Sequence, residues 1–196
     1  SSESGKLCFN QRLGIAIEAL ALQKLNQDTS YDFLGGKTPS ERKEELKQQS
    51  LVEMAAVIRS AIDSVDPAIP GSLCTVVSEV HFAQAIANTL AGPHRPLVRV
   101  HNAFYLEGSP KGFPERVSRT VREIAQLSKE TVVLTEADTC PHNRHSLSMT
   151  SHLAHLTTTT LAGCQGAKYW FVKTDEDGWA ELAPFRAMLE RVRPFL

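Results

Sequence analysis

A strict alternation of short apolar segments with longer amphipathic segments constrains this sequence more than any other feature. Four short segments rich in β-branched residues each precede a segment whose apolar residues recur at helical spacing. The predicted strands cover residues 71–78, 96–102, 131–135 and 167–172, and the predicted helices cover residues 82–90, 114–127, 149–161 and 180–192. Strands separated by helices form right-handed βαβ units, so the pattern predicts an α/β fold with a parallel sheet.

Two further helices are predicted before the first strand. Residues 10–27 carry apolar side chains at helical spacing, and a second helix is expected from an N-cap at Ser40 to about Val65. Pro67 ends this second helix, because proline lacks a backbone donor and biases the preceding residue away from helix.

Four parallel strands fit either a small doubly wound sheet or one half of a (β/α)8 TIM barrel. A doubly wound nucleotide-binding sheet would carry a glycine-rich phosphate turn, and the sequence contains neither GxGxxG nor GxxxxGK[ST]. We therefore expect residues 1–196 to form a single domain that is the second half of a barrel. It would run from about strand five to helix eight, with the two leading helices coming from the region of strand four.

Composition and charge exclude several classes of protein. The chain is 42% hydrophobic and 22% charged, which argues against disorder, and its net charge of −1 argues against nucleic acid as a partner. No apolar run approaches eighteen residues, so we expect a soluble chain with no membrane partner. The four cysteines are scattered without a CxxC pair, which predicts reduced thiols.

Chemically capable side chains cluster where the predicted strands end. In parallel α/β folds the active residues gather at the carboxyl ends of the strands. Carboxylate, imidazole, amide, phenol and indole groups together are typical of a sugar-binding cleft, because aromatic faces stack on pyranose rings while carboxylates and amides bind hydroxyls. The residues concerned are Glu136, Asp138, His101, Asn102, Tyr105 and Trp170.

With these residues, the chain resembles the later half of the catalytic barrel of clan A of the glycoside hydrolases, and in particular bacterial barrels related to β-galactosidases. The resemblance covers roughly residues 45–196 and depends on Glu136 after the third predicted strand, Tyr105 after the second, and Trp170 at the fourth. It implies a retaining glycosidase without a cofactor, in which Glu136 is the nucleophile. It further implies substrate contacts by Tyr105 and Trp170, and we expect His101, Asn102 and Asp138 to contact substrate because they follow the strand ends.

The sequence departs from that family at the second catalytic carboxyl group. A retaining mechanism needs an acid/base carboxyl about 5 Å from the nucleophile. In the family this residue ends the fourth strand, and here only Glu3 lies upstream of the first predicted helix. We therefore expect the acid/base carboxyl group to come from outside this chain, on an N-terminal half of the barrel or on a second chain. Such a partner would also cover the sheet edges that half a barrel exposes.

Other interpretations remain open. The chain could be a non-catalytic carbohydrate-binding or assembly subunit of a split barrel, or a different barrel enzyme that uses Lys173 for a Schiff base. Glu136 could instead cap the following helix or pair with Arg144. Cys140, His142 and His145 do not have the spacing of a common zinc site, so no metal is predicted. His152 and His155 share one face of a predicted helix, where we expect surface or packing roles.

Overall fold

The computed structural model describes residues 37–76, 80–105, 112–138, 147–169 and 183–195. The predicted helix at residues 10–27 and the end of the fourth predicted strand lie outside the described residues. The chain has two compact units, residues 1–55 and 56–196. The prediction of a single domain stays a prediction.

The described elements alternate as the sequence predicts. In chain order they are α1 Pro39–Val65, β1 Leu73–Cys74, α2 Val80–Ala91, β2 Leu97–Arg99, α3 Gly112–Ile124, β3 Val132–Ala137, α4 Met149–Leu161, β4 Gly166–Tyr169 and α5 Ala183–Val192, followed by a 3-10 turn at Arg193–Phe195. The bounds of α4 match the prediction. The first two strands are shorter than predicted, because β1 pairs with β2 through only two residues and β2 ends at Arg99.

Helix α1 begins earlier than the sequence suggested. The hydroxyl and amide of Thr38 both bond the Glu41 carboxylate, and the Glu41 amide donates back to the Thr38 hydroxyl. This reciprocal arrangement is a capping box, with Pro39 at the first helical position. The prediction of Ser40 as N-cap is therefore wrong, because Ser40 already lies inside the helix.

The four strands form a parallel sheet in the order β1-β2-β3-β4. Each strand lies beside the one before it in the sequence, so the described sheet has no reversal of strand order. A doubly wound sheet has such a reversal at its switch point. The described sheet is therefore singly wound, and right-handed crossovers place its connecting helices on one face.

The helix-covered face of the sheet holds the hydrophobic core. Ala83 and Ala87 of α2 pack with Val98 on β2, Val133 on β3 and the buried Cys164. Because side chains alternate along a strand, the residues next to Val98 on β2 and next to Val133 on β3 point to the other face. Arg99 and Glu136 are on that second face, and Lys168 on β4 is in register with Glu136.

Arg59 fixes the end of α1 to the end of α2. Its buried guanidinium donates to the carbonyls of Ile69 and Leu90 and pairs with Asp63 one turn along α1. The backbone beside it packs closely, since a β-carbon on Gly71 would lie 2.4 Å from the Leu90 oxygen. This contact places β1 directly against the end of α2.

Two remaining sequence predictions bear on the described residues. No helix among them is long and apolar enough to cross a membrane. Among the described residues Cys74 and Cys164 form no disulfide, and the other two cysteines lie outside them.

Candidate active site

Glu136 lies at the carboxyl end of the sheet, as the penultimate residue of β3. The strand runs two residues past the position at which the sequence pattern ended it, and Glu136 is only 5% exposed. Its backbone belongs to an inner strand of the described sheet, with β2 on one side and β4 on the other. Burying a carboxylate costs free energy unless charged or hydrogen-bonding groups surround it.

Three side chains from β2 and the segment after it surround the Glu136 carboxylate. The Arg99 guanidinium forms an ion pair with Oε1 at 2.8 Å, and His101 Nδ1 lies 3.0 Å from Oε2. The Tyr105 hydroxyl donates to Oε2 at 3.5 Å. The structure thus brings together three of the residues predicted from strand ends, Glu136, His101 and Tyr105.

Sequence reasoning missed Arg99. The signal was present, because Arg99 lies between Val98 and Val100 in a strand that the sequence predicts to be buried. A buried arginine needs an anionic partner. The identity of that partner was not readable, since Glu136 is 37 residues further along the chain (136 − 99).

The Tyr105 phenol is an uncharged donor. Burial raises its pKa above the ordinary 10.0, and the negative charges of Glu136 and Asp138 raise it further. The Arg116 guanidinium lies 5.8 Å from the centre of the Tyr105 ring, within the range of a cation–π contact. Arg116 also donates to the backbone oxygen of Ala103. The segment after β2 is therefore held in place by Arg116, with the Tyr105 hydroxyl pointing at Glu136.

Asn102 lies behind the carboxylate rather than beside it. Its side chain is 1% exposed, and its Oδ1 accepts hydrogen bonds from the Glu136 amide and the Thr135 hydroxyl, both at 2.9 Å. Its Nδ2 donates to the Thr120 hydroxyl at 2.8 Å. Sequence analysis predicted that Asn102 binds substrate. In the described residues its amide bonds protein groups, because β2 has ended there and the β3 backbone has no strand partner on that side. The predicted contact between Asn102 and substrate stays a prediction.

His155 reaches the same backbone from α4. Its Nε2 lies 2.9 Å from the Glu136 carbonyl oxygen and 3.0 Å from the Thr135 hydroxyl. The side chain is 4% exposed, and burial lowers its pKa from 6.5 to about 4 against the opposing effect of the bond to Glu136. The imidazole is therefore neutral at pH 7. Its buried position agrees with the packing role predicted for it, and the polar contacts to Glu136 and Thr135 go beyond that role.

Asp138 follows β3 and is also buried. Its Oδ1 has no hydrogen-bond partner among the described residues. A buried carboxylate oxygen without a partner is costly to keep and is available to a donor from outside the protein. The predicted contact between Asp138 and substrate stays a prediction.

Several candidates lie outside the described residues, namely Trp170, Lys173, Cys140, His142, Arg144 and His145. Within the part of the chain that the structure describes, no group of three His, Cys, Asp or Glu side chains could hold a metal ion.

The chain was compared with protein-family models, with curated proteins and with solved structures, and none of the three comparisons found a match. Function must therefore be argued from the residues of the site and not from the fold, because one fold supports many activities. What the geometry provides is a buried carboxylate at the end of a parallel strand, with an arginine, an imidazole and a neutral phenol around it.

Proposed function

We propose that this protein is a retaining glycosidase in which Glu136 is the nucleophile. The observation that carries the proposal is the set of contacts to its carboxylate at the carboxyl end of β3, from Arg99, His101 and Tyr105. In parallel α/β enzymes, catalytic groups gather at this end of the sheet. An oriented carboxylate that is held in place before substrate arrives is what nucleophilic attack on a sugar requires.

Oε2 is the attacking atom in this proposal: Oε1 keeps its ion pair with the Arg99 guanidinium throughout, whereas Oε2 exchanges its contacts with His101 Nδ1 and the Tyr105 hydroxyl for the bond to the sugar. A bond forms between Oε2 and the anomeric carbon while the bond from that carbon to the leaving oxygen breaks, and an acid protonates the leaving oxygen. Water then attacks the anomeric carbon of the glycosyl-enzyme, a base removes its proton, and Glu136 leaves as a carboxylate. The Tyr105 hydroxyl, 3.5 Å from Oε2, positions this oxygen and is released from it as the covalent bond forms.

The four strands are proposed as half of a (β/α)8 barrel. Two observations support this: the parallel order without reversal, and a second sheet face that carries Arg99, Glu136 and Lys168. In a barrel that face would line the interior, with active residues at its upper rim. The remaining strands, on an N-terminal half or a second chain, would then supply the acid/base carboxyl that the mechanism needs.

The test is covalent labelling by activated 2-deoxy-2-fluoroglycosides that carry a dinitrophenolate leaving group, over a panel of common sugar configurations. This leaving group departs without protonation, so the test does not depend on an acid/base residue. We expect a mass gain of one fluoroglycosyl group, mapped to Glu136 by peptide analysis. Glu136→Gln should abolish labelling, whereas Asp138→Asn should still be labelled on Glu136. Labelling elsewhere, or by no sugar in the panel, would contradict the proposal.

A non-catalytic carbohydrate-binding or assembly subunit is the second candidate. The observation that favours it is that both oxygens of the Glu136 carboxylate already contact groups of the protein. This candidate predicts glycan binding, measured by calorimetry, that survives Glu136→Gln in a chain that no fluoroglycoside labels.

A further inference from the structure

We infer that Asn102 and His155 are positioning residues that clamp the backbone of Glu136 and thereby aim its carboxylate. The inference rests on the proposed function, because it assigns these two side chains a part in the reaction of Glu136. Neither side chain contacts the carboxylate in the described structure. They bond the backbone amide and the backbone carbonyl of the same residue.

The need for a clamp follows from the unequal lengths of β2 and β3. The register of the two strands ends at the pair Arg99 and Leu134, while β3 continues to Ala137. The amide of Val100 bonds the Leu134 carbonyl, so the backbone groups of Leu134 point toward β2. Glu136 comes two residues later, so its backbone amide and carbonyl point to the same side as those of Leu134, where β2 has already ended. Without side-chain partners, a buried amide and a buried carbonyl would be left unpaired there.

The side chains of Asn102 and His155 form the hydrogen bonds to Glu136 that a longer β2 would have formed. The Asn102 side-chain carbonyl accepts a hydrogen bond from the Glu136 amide, and His155 Nε2 donates one to the Glu136 carbonyl. The Thr135 hydroxyl lies between them, 2.9 Å from Asn102 Oδ1 and 3.0 Å from His155 Nε2. One polar side chain from the segment after β2 and one from α4 thus meet on the strand that holds the proposed nucleophile.

Only one arrangement of protons satisfies this group. A backbone carbonyl accepts and never donates, so His155 must carry its proton on Nε2. The Thr135 hydroxyl then donates to Asn102 Oδ1, and the single Nε2–H of His155 is shared between the Glu136 carbonyl and the Thr135 oxygen. The Asn102 amide in turn donates to the Thr120 hydroxyl, which donates to the Arg116 carbonyl. This arrangement fixes a proton on Nε2, and the lowered pKa of His155, about 4, leaves Nδ1 without one at neutral pH.

The clamp acts on the reaction through the direction of the Glu136 side chain. The backbone is held from the helix-covered side, whereas the carboxylate points to the opposite face, where it meets Arg99. A shift of the backbone therefore moves the carboxylate relative to Arg99 and to a bound sugar. Misplacement of a reacting group by about 1 Å costs on the order of 100-fold in rate.

The test compares His155→Leu with His155→Gln in the full chain, with Thr159→Val as control. Leucine removes the donor, and glutamine keeps an N–H donor at similar reach. Thr159 is equally buried on α4 but bonds only the carbonyls of its own helix, so its loss reports packing alone. In the labelling reaction, we expect His155→Leu to lower the maximal rate about 10- to 100-fold with the half-saturating concentration within about 2-fold. His155→Gln should recover most of the rate, and Thr159→Val should retain it.

A second measurement does not depend on sugar chemistry. Hydrogen exchange of the Glu136 amide, followed by NMR, should be at least about 10-fold faster in Asn102→Ala than in the wild type, with the Val133 amide as internal reference. If no sugar labels the wild type, the proposed function fails while amide exchange still tests the clamp. Equal exchange in Asn102→Ala and the wild type would overturn the clamp, and so would a labelling rate in His155→Leu equal to that of Thr159→Val.

Discussion

Replacing Glu123 with glutamine should stabilise the protein at neutral and alkaline pH but much less at pH 5. Glu123 lies near the end of α3 and is 3% exposed, and neither of its carboxylate oxygens has a hydrogen-bond partner among the described residues. Burial raises its pKa from 4.5 to about 7, although Arg119 and Arg122 partly oppose the shift. Glutamine has nearly the same shape and cannot ionise, so it removes the cost of charging this site.

The sign and the size follow from the two pKa values. A carboxyl whose pKa is higher in the folded protein contributes stability below pH 4.5, and this contribution is lost as the pH rises to about 7. The difference of about 2.5 pH units corresponds to about 3 kcal/mol in the free energy of unfolding. Less than about 1 kcal/mol of that is lost at pH 5, because this pH is only about half a unit above the unfolded-state pKa of 4.5, so ionisation favours the unfolded chain only slightly there. Between pH 5 and pH 8 the gain from Glu123→Gln should therefore grow by about 2 to 3 kcal/mol.

The assay is urea unfolding of the wild type and of Glu123→Gln at pH 5, 6, 7 and 8, with the difference in free energy plotted against pH. His155 also makes stability depend on pH in this range, because its pKa falls from 6.5 to about 4 on folding, but this contribution is present in both proteins and cancels in the difference. Glu115→Gln is the matched control, since Glu115 is on the same helix with its side chain 69% exposed. The difference in the free energy of unfolding between Glu115→Gln and the wild type should not change with pH. A Glu123→Gln difference that changes by less than about 0.5 kcal/mol over this range would refute the reasoning.

Three further substitutions test the packing and the site. Gly71→Ala should lower the free energy of unfolding by about 1 to 3 kcal/mol in urea, because its β-carbon would meet the Leu90 oxygen at 2.4 Å. Thr38→Ala should lower the stability of α1 by about 1 kcal/mol, seen as reduced helical circular dichroism, because the capping box is lost. Arg99→Met should reduce the rate of fluoroglycoside labelling at least about 10-fold, because Glu136 loses the ion pair at Oε1.

Each of these substitutions has a conservative counterpart. Ser72→Ala, at an exposed position beside the close contact, should leave stability within about 0.5 kcal/mol of the wild type. Thr38→Ser keeps the capping hydroxyl and should keep the helix. Arg99→Lys keeps the charge but not the planar fork, so its labelling rate should fall between the wild type and Arg99→Met. If Arg99→Met were labelled by the fluoroglycoside as fast as the wild type, the ion pair would not orient the Glu136 carboxylate.

The residues alone predict the alternation of strands and helices and place Glu136 near the end of a strand. The period of apolar residues is a local property, so it predicted the parallel α/β order, the bounds of α4 and the position of Glu136 near a strand end. The same local reasoning misplaced the cap of α1, because Thr38 and Ser40 are equally good N-cap residues by type. Only the hydrogen bonds between Thr38 and Glu41 distinguish them.

The surroundings of Glu136 were decided by the tertiary structure alone. Arg99 and Asn102 contact it across more than 30 residues of chain, and His155 reaches its carbonyl from the following helix. Whether Asn102 faces a substrate or the backbone depends on where β2 stops, which is set by pairing between strands and not by the residues of β2. Local periodicity contains no information about such pairing. For that reason the sequence could predict the carboxylate, and only the folded sheet could supply the groups that hold it.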